Sequence, residues 1–491
     1  MRIRDGAAYR GALNDGRTVL LDGQPVGDVT SHPAFRNAVA SFARLYDHQC
    51  DPANRERVTF DTGGARVHKA WSLPRSHAEM VERRHAIAEW CALSCGFLGR
   101  SPDHLATTLT GMMIGLPVMR GFDAARADAF AAYFEEVRSR DLFVTYVIQN
   151  PQANKARSAS EQARDVVAHI VSQDADGIVV SGAKMLGTSA VMADEIFVGT
   201  IQPLKSGEER YALSFAVPVN HPGVRLLSRR SYEAAAPSAF DYPLSSRFDE
   251  NDAIVFFDEA RVPWSRVFVC GNIAAAAAQW HGTPAHVMQN YQSQIRLMVK
   301  MRFFIGLARR IAEINGSIDI PQVGGALGRL AAQASIVEGL VAGMEAEGRM
   351  DGEYWVPSRH LLYAAQTLTQ EIYPQFVMAI RDLAGGGVIM LPSSEEDMTS
   401  PHTRDYVAAT QVSSVATPRE RVAAFKLAWD ALGSEFASRH IQYEMFYAGA
   451  SYVNHAHMMR TYDWDAARRL LEGVLPAPAA FAPAAFAPEP G

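Results

Sequence analysis

The chain has 491 residues, enough to bury a large core and to form about two to four structural units. It is 48% hydrophobic and 20% charged, and its formal charge of −6 is spread without long like-charge runs, which excludes an electrostatic nucleic-acid footprint. The four cysteines, Cys50, Cys91, Cys95 and Cys270, are too sparse for a disulfide scaffold.

Segment Met1 to Ala12 is polar and no run of about 18 apolar residues occurs. Neither a secretory signal nor a membrane span is expected, and the expected location is cytoplasmic. From Pro33 to Ser139 the chain reads as helical, with apolar residues at helical spacing from His77 through Gly96. Near Asp141 the texture changes to short β-branched and aromatic runs: Leu142 to Ile148, Gly177 to Ser181, Glu195 to Ile201, Tyr211 to Val219 and Ala253 to Phe257. Turn signals such as Asp174-Ala175-Asp176-Gly177 separate them, so a small antiparallel β-domain is predicted.

After Pro263 helical periodicity returns. Ile295, Val299, Phe303, Leu307 and Ile311 fall at successive i+4 steps and form one apolar stripe. Gly324 to Met350, Ser358 to Ala384 and Pro418 to Ala448 continue the helical pattern. The end, Pro476 to Gly491, repeats Ala-Phe-Ala-Pro and predicts a disordered tail. The expected organisation is α+β: a mainly helical domain over 1–140, a β-domain over 141–275, a helical bundle over 276–475 and the tail over 476–491.

No GxGxxG, Walker loop, HExxH, paired CxxC or GxSxG is present, so nucleotide, zinc-protease and nucleophile-elbow readings lack support. Gly385-Gly386-Gly387 is placed to terminate a helix. Cys91 and Cys95 share a helix face, which suits either small core residues or metal ligands. With no further ligands nearby in sequence the core reading is preferred, and no metal is expected.

Several segments carry a resemblance. They are Asp28 to Arg36, Phe97-Leu98-Gly99-Arg100-Ser101-Pro102-Asp103-His104, Asn150-Pro151-Gln152-Ala153-Asn154-Lys155, Gly182 to Thr188, Val255 to Trp264, Gly385 to Pro392 and Tyr443 to Gly449. In this order they resemble the 4-hydroxyphenylacetate 3-hydroxylase family of two-component flavin monooxygenases. The resemblance implies an acyl-CoA dehydrogenase-like fold and a homotetramer that binds reduced FAD, rather than FMN, between β-domain and bundle. It further implies a separate flavin reductase, by docking or through diffusing flavin, and hydroxylation of a phenolic ring through a flavin hydroperoxide.

Carried onto this sequence, the resemblance puts Arg100 beside flavin and substrate, where a fixed planar charge can stabilise developing negative charge. His104 stands where well-known members carry tyrosine; with an ordinary pKa near 6.5, histidine can accept a proton or anchor a hydrogen bond. Tyr146 stands where 4-hydroxyphenylacetate hydroxylases usually carry histidine, and a phenol is a poor base at neutral pH. The two departures put 4-hydroxyphenylacetate itself in doubt as substrate and leave free or carrier-tethered aromatics open. Gln152, Asn154, Lys155 and Thr188 are flavin-contact candidates through amide, ammonium and hydroxyl groups. Gly449 would let backbone approach the flavin. His286 and Tyr291, ahead of the striped helix, are weaker substrate-side candidates.

Three alternatives remain at this stage. A 4-hydroxybutyryl-CoA dehydratase-like enzyme would share the fold but needs cluster ligands; Cys95 matches one, and Gly99 stands where the next cysteine belongs. An acyl-CoA dehydrogenase-like enzyme needs a bundle carboxylate, for which nothing selects Glu371 or Glu396. A flavin-binding protein without activity would not need Arg100.

Overall fold

A computed structural model describes residues 2–151 and 153–475. The Ala-Phe-Ala-Pro repeat lies outside them. Four helices dominate the N-terminal part: α1 (Arg36–Cys50), α2 (His77–Ala92), α3 (Pro102–Ile114) and α4 (Ala124–Ser139). Their starts follow from capping chemistry: the Ser76 side chain accepts from Glu79 N–H, Asp123 accepts from Arg126 N–H, and Pro102 opens α3. Helix α3 is buried almost throughout despite three threonines. Thr107, Thr108 and Thr110 each donate to the carbonyl four residues back, at 2.7, 3.0 and 2.8 Å, so no hydroxyl there is left unpaired.

The helical expectation for residues 33–139 is interrupted. Thr59–Asp61 and Ala65–His68 pair antiparallel, and Arg2–Ile3 adds a parallel strand. Two more early strands, β1 (Val19–Leu21) and β2 (Gln24–Val26), cross into the middle of the molecule.

The middle region holds β3 (Val144–Val147), β4 (His169–Gln173), β5 (Gly177–Thr188), β6 (Glu195–Val198), β7 (Leu213–Pro218), β8 (Val224–Ser228), β9 (Asp252–Pro263) and β10 (Val267–Cys270). They form a four-stranded sheet ordered β10-β7-β6-β3 and a six-stranded sheet ordered β2-β1-β8-β9-β5-β4. Pairing is mostly antiparallel, as expected, but β3 runs parallel to β6 and β1 parallel to β8. Strands β5 and β9 are longer than their apolar runs suggest, because register shifts within their pairing let the ladder continue past polar positions.

The C-terminal part comprises α5 (Ile273–His281), α6 (Ala285–Ile314), α7 (Pro321–Ala346), α8 (Arg359–Ala384), α9 (Pro418–Leu432), α10 (Glu435–Phe446) and α11 (Ser451–Thr461). The run read as helical up to Met350 instead ends at Ala346 and turns into a hairpin, Arg349–Asp351 with Tyr354–Val356. The 418–448 stretch divides at Gly433, where Ser434 caps the next helix by accepting from Ala437 N–H. Gly385, with φ +57°, ends α8 as the triple glycine suggests.

Helix α6 has two characters. Its C-terminal half carries the apolar stripe, whereas every residue from Ala285 to Met298 is buried. Gln289, Asn290, Gln292, Gln294 and Arg296 therefore lie inside the protein and must find partners there. That buried polar half defines the centre of the candidate site.

Candidate active site

The turn between α2 and α3 brings Arg100 inward. Gly96 has φ +76°, and a Cβ there would meet the Arg296 carbonyl at 2.8 Å. A Cβ on Gly99 would meet the Tyr443 ring at 2.7 Å, so glycine is needed for this loop to lie against α10. The Arg100 N–H donates to Glu250 Oε2 at 2.7 Å. Its Nη1 donates to His104 Nε2 at 2.9 Å and to the Tyr443 hydroxyl. Burial opposes the charge on Arg100, but Tyr146, Tyr443 and Glu250 outweigh it, and the guanidinium's pKa is raised further.

His104 lies one turn along α3 and is buried. Because a guanidinium only donates, Nε2 must be the acceptor, which leaves a neutral ring with its proton on Nδ1. Burial, then Arg100 and Arg296, push its pKa well below histidine's ordinary value. The geometry uses His104 as the hydrogen-bond anchor of Arg100. Its ring stacks on Tyr146, with centroids 5.5 Å apart and planes at 13°.

Tyr146, on β3, also lies under the Arg100 guanidinium at 5.4 Å. Its hydroxyl accepts from Gln289 Nε2 at 2.8 Å, so its own proton is free to point elsewhere. Thus Arg100, His104 and Tyr146, far apart in sequence, form one buried group, joined by Gln289 and Tyr443.

Tyr443 is the residue that sequence reasoning undervalued. The guanidiniums of Arg100, Arg296 and Arg439 lie 5.1, 5.3 and 5.0 Å from its ring centroid. Each such contact is worth about 0.5–2 kcal/mol, so their concentration on one ring holds the loop, α6 and α10 together. Carboxylates balance the charge: Glu444 takes both nitrogens of Arg296 at 2.7 Å and Lys300 at 2.8 Å. These two cations draw the Glu444 carboxyl down to about 2 against its burial, while burial pushes Lys300 down to about 8. Arg439 pairs with Glu250 and Asp252.

The flavin candidates are distributed differently. Thr188 is buried at the end of β5, where its hydroxyl donates to Asp252 Oδ1 at 2.6 Å. Asn154 and Lys155 are exposed; the Asn154 side chain accepts from Ala156 N–H at 3.0 Å within its own turn. Gln152 lies outside the described residues. Gly449 follows α10 with φ +93°, and its carbonyl accepts from Gln370 at 2.7 Å. His286 and Tyr291 are both buried on α6; the Tyr291 hydroxyl meets Glu345 rather than the Arg100 group.

The residues fit a flavin. Leu186, 54% exposed with φ +58°, stands next to Thr188 and the buried, unpartnered hydroxyl of Ser189. Gln294 Oε1 and both side-chain polar atoms of Gln366 are likewise buried without partners among the described residues. Unpaired buried polar atoms suit the polar edge of a planar ring. Lys184, also on β5, is fully buried; its one hydrogen-bond partner among the described residues is Asn150 Oδ1, at 2.9 Å, and burial brings it down to about 7. A separate cavity of about 400 Å³, lined by Arg4, Asp15, Asp194 and Glu195 among others, does not include the Arg100 group.

Two family models match: 4-hydroxyphenylacetate 3-hydroxylase N terminal over residues 5–269 and C terminal over residues 276–475. The chain belongs to the 4-hydroxyphenylacetate 3-hydroxylase family. It is an aromatic monooxygenase of the two-component, oxygenase type, with the acyl-CoA dehydrogenase-like fold. It is 35% identical over 454 residues to a 4-hydroxyphenylacetate 3-monooxygenase oxygenase component of Pseudomonas aeruginosa, covering 91% of this chain and 86% of the relative. It is 34% identical over 452 residues to the pyoverdin chromophore biosynthetic protein PvcC of the same organism, covering 91% and 89%. The oxygenase component of 4-hydroxyphenylacetate 3-monooxygenase, solved with FAD and 4-hydroxyphenylacetate, superposes with a TM-score of 0.91 at 30% identity, covering 96% of this chain and 98% of that one. Among the described residues no helix is long and apolar enough to cross a membrane.

Proposed function

We propose that this hydroxylase uses reduced FAD and O2 to place one oxygen on a phenolic ring held by Arg100, His104 and Tyr146. The observation that carries this reading is the buried Arg100 guanidinium, fixed by His104 and Tyr443 beside the Tyr146 ring. Reduced FAD, when bound, activates O2 and supplies an electrophilic oxygen atom, so the chain's task is to present an electron-rich ring in a dry space.

Arg100 does this by charge. A phenol whose oxygen reaches the guanidinium has its phenolate form stabilised, which activates the ring without a strong protein base. His104, neutral and occupied at Nε2, keeps Arg100 in place. Tyr146, oriented by Gln289, offers its hydroxyl proton to a polar group on the substrate. Thr188 and Gly449, with Asn154 and Lys155 on the loop after β3, form the flavin side, and Gln152 is a further flavin candidate.

The substrate is a phenolic compound other than, or beyond, 4-hydroxyphenylacetate, because histidine at 104 and tyrosine at 146 exchange the chemical types expected for that acid. The relatives already include enzymes named for different pathways. Reduced flavin comes from a separate reductase, and the chain works in the cytoplasm as a homotetramer. The test is product analysis with chemically reduced FAD, O2 and a panel of free and carrier-bound phenols. The reading predicts a product hydroxylated ortho to the phenol oxygen; oxidation of reduced FAD without any ring product across the panel would sink it.

A further inference from the structure

A second cluster lies at the junction of α5, α6, α8 and α11. His281 and His286 have ring centroids 4.7 Å apart, and His457 lies 5.6 and 6.0 Å from them. Tyr363 stacks on His457 at 4.5 Å and lies 5.8 Å from His286. His286 is buried and its Nδ1 has no hydrogen-bond partner among the described residues. His457 is half-buried, and His281 and Arg460 are exposed, so the cluster runs from the surface to a buried imidazole nitrogen.

The charge around it has one sign. On α5 stands His281, on α6 His286, on α8 Arg359 beside Tyr363, and on α11 His457 and Arg460. Arg460 Nη2 donates to His457 Nδ1 at 2.7 Å. Burial lowers the enclosed His286, and the other causes acting on the three histidines are neighbouring histidines and arginines. Among the described residues no carboxylate forms a salt bridge with any of them. His286 also sits in the first turn of a 30-residue helix, whose free N–H groups and dipole favour negative charge. Three imidazoles beside two guanidiniums gather positive charge and donors that an oxyanion can accept from.

The cluster is not a metal centre by its own geometry: among the described residues no group of three His, Cys, Asp or Glu converges as ligands. It is joined to the ring site by α6. His286 and Gln289 are three residues apart, about 4.5 Å along the axis at 1.5 Å per residue, and Gln289 bonds the Tyr146 hydroxyl.

We propose that His281, His286, His457, Arg359 and Arg460 form a subsite for an oxyanion, a carboxylate or phosphate, carried by the ligand whose ring lies against Tyr146. Its assignment to the aromatic substrate rests on the hydroxylase reading; the other source of the same chemistry is the diphosphate of the flavin. An incoming oxyanion accepts from the guanidiniums and from imidazoles that take up protons, so binding strengthens as pH falls.

The experiment is calorimetric titration of the full chain with 4-hydroxyphenyl carboxylates of increasing tether length and with neutral 4-ethylphenol, at pH 6.5 and 8.5. One tether length binds about tenfold more tightly than 4-ethylphenol at pH 6.5, and less so at pH 8.5. In Arg460→Gln, an exposed position, and in His457→Gln the charged-to-neutral ratio collapses toward one. The same charged-to-neutral ratio in wild type and both variants, together with unchanged affinity for FAD in the variants, overturns the subsite. Titration with reduced FAD and reduced riboflavin separates the sources: loss of affinity for FAD but not riboflavin in the variants supports the oxyanion site with the diphosphate as its ligand. Stoichiometric zinc binding abolished by the variants overturns it in favour of a metal site. Hydroxylation of 4-ethylphenol by wild type is scored independently, so failure of the hydroxylase reading is distinguishable from failure of the subsite.

Discussion

The two regions proposed to flank the ligands are built by different means. On the Arg100 wall, buried cations and carboxylates from the α2–α3 turn, β9, α6 and α10 lock one another, and Tyr443 is ringed by three guanidiniums. In the loop after β3, proposed as the flavin side, Asn154 and Lys155 are exposed; Gln162 Nε2 donates to the carbonyls of Asn154, Arg157 and Ser158, and Ser160 donates to Glu208. The first wall is set before any ligand arrives, as ring positioning requires. The second is held by its own turns and by exposed polar contacts, as suits a surface that admits a flavin delivered from elsewhere.

The contrast can be broken most forcefully at Glu444. Replacing it by Leu strands Arg296 and Lys300 in the interior, with an expected loss of about 3–5 kcal/mol in denaturant unfolding. The wild type should show the same dependence on pH. Its Glu444 carboxyl titrates at about 2 when folded against an ordinary 4.5, so its stabilisation is present above pH 4.5 and is lost as pH falls toward 2. Arg100→Ala comes next: kcat/KM for ring hydroxylation falls about 10²–10³-fold while flavin affinity changes little. Unchanged coupling of O2 use to product in that variant would remove Arg100 from its role. Tyr443→Phe, which keeps the ring but deletes the hydroxyl that accepts from Arg100, costs about 1 kcal/mol in kcat/KM. Lys155→Ala leaves stability within about 0.5 kcal/mol and alters only flavin affinity, an effect that added salt shrinks.

Much of this architecture was legible because it is periodic. The stripe from Ile295 to Ile311 is a helix, and Gly385 ends one. Strands β1 and β2 escaped because they are three residues each, and the pairing of Val19 with Leu226 is set by the fold, not by neighbours in sequence. The site follows the same division. Arg100 and His104 share one motif, and Tyr146 lies close before another. Gln289, Glu250 and Tyr443 reach them across 143, 150 and 343 residues, and no local pattern announces a contact of that kind. Tyr443 was visible only as part of the Tyr443 to Gly449 segment, without a role.

The account's central claim is that Arg100 activates the ring by stabilising its phenolate. Spectrophotometric titration of 4-nitrophenol bound to the protein tests this most directly, because phenol and phenolate absorb at different wavelengths. The account predicts that the bound phenol's pKa is lowered by about one unit or more in wild type and returns toward its free value in Arg100→Ala. The same pKa for the bound ligand in both proteins would contradict it.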